Sequence, residues 1–350
     1  MKDLRVCGGG GLGVSAALAA AVLLGGCAQQ PRGVEEAVAV PRLKQGRVTG
    51  GQQPVSGATL QLYAVGAGGD GSAATPLLSP EAVTDANGNF TISGMYTCPN
   101  GNPLVYMVAT GGNPGAAASN ASLALMAALG PCNSLSASTF ITINELTTVG
   151  AVYPLAAFMT SAGAIGSGTG DAAALASAFT LASELVNTST GTSPGASVPV
   201  GTTIPVAQID TIADILANCI NSTGGVAGDG SGCGNLFALT TPESSAAPTD
   251  TIAALLHLAN NPGMNTAALY ALVPAVAPFQ PAMTVTPADL AVRLISPSGF
   301  TVSPGSLSFG TLTTGFTSAV QTVTLTNNTT GLVPVSAVTL AGRTPATFSY

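Results

Sequence analysis

The feature that most constrains the fold is a change in the period of the apolar residues near Glu145. Upstream, side chains alternate with a period of two, so Ala58-Thr59-Leu60-Gln61-Leu62-Tyr63 and Asn89-Phe90-Thr91-Ile92-Ser93 read as half-buried strands. The run Leu104–Ala109 is apolar on both faces, as a strand covered by two layers must be, and Thr139–Ile143 adds another. Downstream, Leu175, Ala178, Phe179, Ala182, Leu185 and Val186 recur at helical spacing, with Asp171 placed to cap the start. Ile209, Ile212, Ala213, Leu216, Cys219 and Ile220 repeat that spacing. A third helix is predicted from Asp250 through Ile252, Leu255, Leu256 and Ala259, ended by Asn260-Asn261-Pro262-Gly263. Strand patterns return near residue 300. Strands in one block and helices in the next specify a multidomain α+β chain.

The first 26 residues have the form of an export signal: Lys2 and Arg5 give a positive start, and an apolar run of small residues extends from Val14 to Leu24. That run is too short to span a membrane. Leu24-Gly25-Gly26-Cys27 resembles the lipobox of bacterial lipoproteins, in which the Cys is acylated and becomes the mature N-terminus. The resemblance implies lipidation at Cys27, and the acyl chains would then hold the protein on a membrane without a transmembrane helix. Ala28, standing where an Asp would signal retention on the inner membrane, implies an outer-membrane lipoprotein of the cell envelope. The competing reading is ordinary secretory cleavage near Gly26, leaving Cys27 a plain thiol.

Cys7 departs with the leader and Cys27 takes the lipid, so Cys98, Cys132, Cys219 and Cys233 remain for an oxidising compartment. Four cysteines allow three pairings, and sequence alone does not choose among them. Keeping each pair within one predicted domain gives Cys98 with Cys132 and Cys219 with Cys233. Zinc is the rival use, but its ligands usually come as close CxxC pairs and the sequence has none, so no metal site is expected.

Six segments follow from these patterns: a signal peptide at 1–26, a polar tether at 27–45, a β-domain at 46–145, an Ala-rich helical domain at 146–283, a linker at 284–300, and a partial β-domain at 301–350. Only 7% of the residues are charged and the net charge is -7. Beyond the leader the cations are Arg32, Arg42, Lys44, Arg47, Arg293 and Arg343. Neutralising phosphates needs clustered basic side chains, so nucleic acid is excluded as a partner.

Gly46-x-Val48, Pro54-Val55-x-Gly57-Ala58-x-Leu60-x-Leu62, Thr84-Asp85-x-x-Gly88-x-Phe90-x-Ile92 and Tyr106-x-Val108 together resemble the carboxypeptidase-regulatory-like domains. That resemblance implies a transthyretin-like antiparallel β-sandwich; an insertion from Val65 to Ser79 and the Cys98 loop depart from the pattern. The segment Val302-x-Pro304-x-x-Leu307-x-Phe309-Gly310, with Val323-x-Leu325-x-Asn327, resembles the opening half of the immunoglobulin-like ASH (Hydin-type) domains. About fifty residues are present where such a sandwich needs about a hundred. The expectation is therefore an incomplete C-terminal immunoglobulin-like β-sandwich, either a fragment or one completed by another chain. The whole arrangement is similar to lipoproteins of soil bacteria, notably acidobacteria.

Residues able to do chemistry are sparse. A Ser-His-Asp arrangement needs a base, and the single His, His257, lies about 140° from Ile252 around its helix, on a face expected to be solvated. Asp210 and Asp214 share one side of their helix, also expected to face solvent. Asp85, Asn87 and Asn89 lack the spacing and closing Glu of an EF-hand, and Asp85-Ala86-Asn87-Gly88 reads instead as a turn feeding the Phe90 strand. Gly66-Ala67-Gly68-Gly69 does not lead from strand to helix with a Lys, so no phosphate loop is implied. Asn89, Asn120 and Asn221 open glycosylation-like triplets. No cofactor is expected. The reading is a non-catalytic, lipid-anchored envelope protein serving display, adhesion or assembly, with an unknown protein or glycan partner. The alternative, a polysaccharide-binding subunit, is weakened by the lack of Trp for a sugar platform.

Overall fold

Residues 39–40, 45–92, 96–136, 138–199, 202–294, 300–303 and 322–327 are described by the computed structural model. The leader, Cys27, most of the tether and most of the 301–350 segment lie outside the described residues. The strand-rich part runs β1 (Ala39–Val40), β2 (Gln45–Gly50), β3 (Gln53–Pro54), β4 (Thr59–Ala64), β5 (Thr75–Pro76), β6 (Ala82–Val83), β7 (Asn89–Phe90), β8 (Tyr96–Thr97), β9 (Leu104–Thr110), β10 (Ala124–Pro131) and β11 (Phe140–Ile143). It is followed by α1 (Glu145–Leu155), β12 (Met159–Ser161), β13 (Ala164–Ile165), α2 (Ala172–Leu185), α3 (Val206–Ile220), α4 (Gly232–Leu239), α5 (Thr251–Asn260) and α6 (Thr266–Tyr270). A last antiparallel pair joins β14 (Phe300–Ser303) to β15 (Thr324–Asn327). The protein is thus α+β, with antiparallel β-sheets preceding a helical region.

The larger sheet has the order β10-β9-β4-β5, with β6 also on β4. Its centre is the doubly apolar strand β9, buried on both faces, with Met107 opposite Leu62 on one side and Ala127 on the other. The second sheet has the order β11-β2-β3, with β7 on β2. One of its pairings departs from the antiparallel rule, since β11 runs parallel to β2 with Ile141 opposite Gly46 and Ile143 opposite Val48. A parallel pair needs a long crossover, and the chain from β3 through β10 supplies it.

The predicted turn before Phe90 forms. Asp85 accepts hydrogen bonds from the amides of Asn87 and Asn89, each at 2.8 Å, and Gly88 takes a positive φ of 72°. A Cβ at Gly88 would fall 2.5 Å from the Val48 carbonyl, so the close approach of turn to β2 also requires glycine there. Within the stretch read as a tether, Ala39 and Val40 pair with Thr97 and Tyr96. Two residues are too few for a period to register in sequence.

The helical region adds α1, α4 and α6 to the helices expected from spacing. The apolar side chains of strands and helices form one continuous core, in which Val48, Leu60 and Ile141 share a cluster with Val149, Leu175 and Ile212. α1 lies against both β10 and α2. Gly150 permits the second contact, because a Cβ there would sit 2.6 Å from Val186 Cγ2. Asp250 caps α5 by accepting from Ala253 N at 2.8 Å. Asp171 occupies the N-cap position of α2 with no side-chain capping bond, a correction to the role its spacing suggested.

Candidate functional site

The region of greatest chemical interest is one that spacing assigned to solvent. Asp210 is 3% exposed and Asp214 0%, so both carboxyls lie inside the protein. α3 is covered on several sides, not along one stripe, since every residue from Ile209 to Ala217 is buried. A helical wheel marks the apolar face but does not reveal that other elements close over the polar one.

Glu145 joins them from the start of α1 and is likewise 0% exposed. The local sequence fixes its position: Asn144 accepts from Thr147 N at 2.9 Å while Thr147 Oγ1 accepts from Asn144 N at 2.9 Å, a reciprocal cap. Glu145 Oε1 then accepts from Gly51 N in the β2–β3 turn at 2.7 Å. Asp214 Oδ1 accepts from Phe279 N at 3.0 Å. Glu145 Oε2 and Asp214 Oδ2 are buried without a hydrogen-bond partner among the described residues.

Burial raises all three acids, because the interior disfavours their charged forms. Glu145 is pushed up to about 8, chiefly by burial and in small part by Asp214, against the lowering effect of its own and Gly51's amides. Asp210 is pushed up to about 7 by burial and then by the charge of Asp214. Asp214 rises to about 6, burial outweighing the hydrogen bond from Phe279. Among the described residues, no group of three or more His, Cys, Asp and Glu side chains could hold a metal ion.

Segment 278–283 is strapped across this cluster. Gln52 Nε2 donates to the Pro278 carbonyl, Phe279 N to Asp214, and Met283 N to Thr211 Oγ1 at 2.8 Å. Tyr270 Oη donates to the Met283 carbonyl at 2.7 Å.

Cys98–Cys132 and Cys219–Cys233 are both disulfides, with Cα separations of 5.9 and 4.2 Å. The first joins the chain after β8 to the end of β10. The second joins the C-terminal turn of α3 to α4, and Asn120 locks that junction to the β9–β10 loop: its Nδ2 donates to the carbonyls of Cys219 at 2.8 Å and Ile220 at 3.1 Å. Asn120 is fully buried, so its glycosylation-like triplet is spent on structure. Such disulfides suggest an oxidising, extracytoplasmic location. No helix among the described residues is long and apolar enough to cross a membrane.

His257 is half-buried, and its Nδ1 lies 3.0 Å from the Thr240 carbonyl, which ties α5 to the end of α4. The solvated face expected for it is therefore partly covered. Asp85 is held below its ordinary value by the Asn89 and Asn87 hydrogen bonds that build its turn. Cys27 lies outside the described residues. Compared with known proteins, the chain matches no family model, no curated protein and no solved structure.

Proposed function

We propose that this is a bacterial outer-membrane lipoprotein, anchored through Cys27, whose exported part is a non-catalytic display, adhesion or assembly scaffold in the cell envelope. In this reading the sheets preceding α1 are a carboxypeptidase-regulatory-like β-sandwich, and the chain from residue 301 opens an ASH-type immunoglobulin-like domain. The observation that carries it is the pair of disulfides closed in a chain whose leader ends at Leu24-Gly25-Gly26-Cys27. Export accounts for both, because disulfides persist where thiols are not kept reduced.

Support for a non-catalytic role comes from the perturbed acids. A catalytic carboxyl must come within hydrogen-bond reach of a substrate atom, whereas with the strap closed Glu145 and Asp214 are 0% exposed and Asp210 3%. Mass spectrometry of membrane-extracted protein tests the anchor: a lipid-modified N-terminal Cys27 is expected, together with release of Cys27→Ser into the soluble fraction. An unmodified N-terminal peptide, or identical fractionation of Cys27→Ser, overturns it. Turnover of peptidoglycan, polysaccharide, ester or peptide by the purified protein, lost in Asp210→Ala/Asp214→Ala/His257→Ala, would make it an enzyme.

A further inference from the structure

Asp210 and Asp214 lie one turn apart on the buried part of α3, and Glu145 and Asp214 each hold a backbone amide of a neighbouring segment. We propose that Glu145, Asp210 and Asp214 form a pH-operated latch: protonated, they keep the β2–β3 turn and the 278–283 strap closed over α3, and their ionisation releases both. The connections are direct. Glu145 holds the turn through Gly51, Asp214 holds the strap through Phe279, and Gln52 links turn to strap at Pro278.

Among the described residues, no cation faces these acids to offset ionisation. The turn contributes Gly51 and Gln52, and the strap from Pro278 to Met283 carries no ionisable side chain. α1 adds only Tyr153, whose hydroxyl donates to the Leu290 carbonyl, and α2 adds Glu184, a further acid. α4 carries Cys233, consumed in its disulfide, and α6 carries Tyr270, donating to Met283. α5 carries His257, turned to Thr240. Arg47 and Arg293 are the only arginines or lysines among the described residues; Arg47 is exposed, and Arg293 is paired with Asp289 at 2.7 Å.

A first ionised carboxylate can be borne, because the Phe279 and Gly51 amides donate to Asp214 and Glu145. A second places like charges together in a medium that screens them poorly, and Asp210 makes no side-chain hydrogen bond among the described residues to compensate. Opening the strap admits water to the charges. The closed form binds protons more tightly than the open one, so rising pH favours opening, and the protons leave in steps that belong to the cluster as a whole. Only the β2–β3 turn and the strap have to move. β9 and β10 are held by their own ladder and do not depend on these acids.

Hydrogen exchange of the detergent-extracted full chain tests the latch, with rates corrected for the intrinsic effect of pH. Between about pH 5 and about pH 8.5, protection of the Gly51, Phe279 and Met283 amides is expected to fall about tenfold further than that of Leu125 and Ala127 in β10. Asp210→Asn should flatten the difference, since it removes one charge and no hydrogen bond. Equal falls at both places, or constant protection at the strap, would overturn the proposal. Should Asp210→Asn fail to fold, carbon-13 titration of the wild-type carboxyls decides: at least two of the three midpoints are expected above about 5.5. Three midpoints in the ordinary carboxylate range near 4 would refute the latch.

Discussion

Thr251 and Ala124 exchange two hydrogen bonds across the outer edge of β10: Thr251 Oγ1 accepts from the Ala124 amide at 3.0 Å and donates to the Ala124 carbonyl. Two residues along the strand, Thr148 Oγ1 accepts from the Met126 amide at 2.9 Å and gives its own hydrogen to the Asn144 carbonyl at 2.7 Å. In an antiparallel strand the backbone groups of alternate residues point the same way. Ala124 and Met126 are therefore the pair that β9 leaves unserved, and α5 and α1 close it with hydroxyls. An open edge invites pairing with another chain; this one is blocked by the helices that follow it in sequence.

Replacing Thr251 with Val keeps the volume and removes the hydroxyl, leaving the buried Ala124 amide and carbonyl without partners. The expected cost is about 1–3 kcal/mol, read as a lowered urea midpoint with an unchanged m-value. Thr251→Ser should recover most of the loss. If Thr251→Val and wild type unfold at the same midpoint, the hydroxyl has no role in closing the edge.

That edge also shows which parts of the fold are legible in sequence. β9 was readable because Leu104–Ala109 contains Val, Tyr and Met in a run bounded by turn residues. β10 was not: Ala-Leu-Met-Ala-Ala-Leu has no alternation and is built from good helix formers, and only the sheet neighbour makes it a strand. The helix α1 escaped for a related reason, since nine of its eleven residues are buried and a helix covered all round shows no polar face. The observed cysteine pairs are those obtained by keeping each pair within one predicted domain, although the sequence alone leaves three pairings open. Asp210 and Asp214 were visible as a pair at i and i+4, but their burial depends on Glu145, Gly51 and Phe279, residues 65 to 163 positions away from Asp214. No local pattern records an acid's partner at that separation.

The two disulfides should contribute unequally. In the chain-entropy model, closing loops with sequence separations of 34 and 14 stabilises by about 4 and about 3 kcal/mol respectively. Cys98→Ser/Cys132→Ser is expected to lower the melting temperature more than Cys219→Ser/Cys233→Ser. The reverse order in calorimetry would mean that strain or packing at the α3–α4 junction outweighs loop length.

Asn120→Leu should cost about 1–3 kcal/mol, because it removes the side-chain donor to the Ile220 carbonyl and the acceptor of the Ser122 amide, while the Cys219 carbonyl keeps its bonds from Ser222. The effect is expected to be local. Hydrogen exchange should show faster opening of α4 and of the loop from Asn221 to Ser231, while β4 and β9 keep their protection. Unchanged exchange in that loop would argue that water replaces the amide without penalty.

Stability should be greatest near about pH 4 to 5 and fall as pH rises toward about 8. Glu145, Asp210 and Asp214 are raised in the folded protein to about 8, about 7 and about 6, from ordinary values of 4.5, 3.8 and 3.8. Each therefore binds its proton more tightly when folded, and its contribution is complete below the unfolded value and lost as pH climbs through the folded one. Asp289 acts in the opposite sense: Arg293 holds it low, so its contribution is present above its ordinary value and fades as pH drops below it. The two trends leave a maximum on the acid side of neutrality. Between about pH 5 and about pH 8.5 the loss is expected to be on the order of 3 kcal/mol, since opening of the strap relieves part of the repulsion. Glu145→Gln removes the group with the highest value and should make the fall shallower between about pH 4.5 and about pH 8, so that the variant overtakes wild type at alkaline pH despite equal or lower stability at about pH 4.5. Chemical denaturation at several pH values measures this directly. A wild-type profile that is flat or rises through pH 8 would show that these acids ionise inside the folded protein without cost.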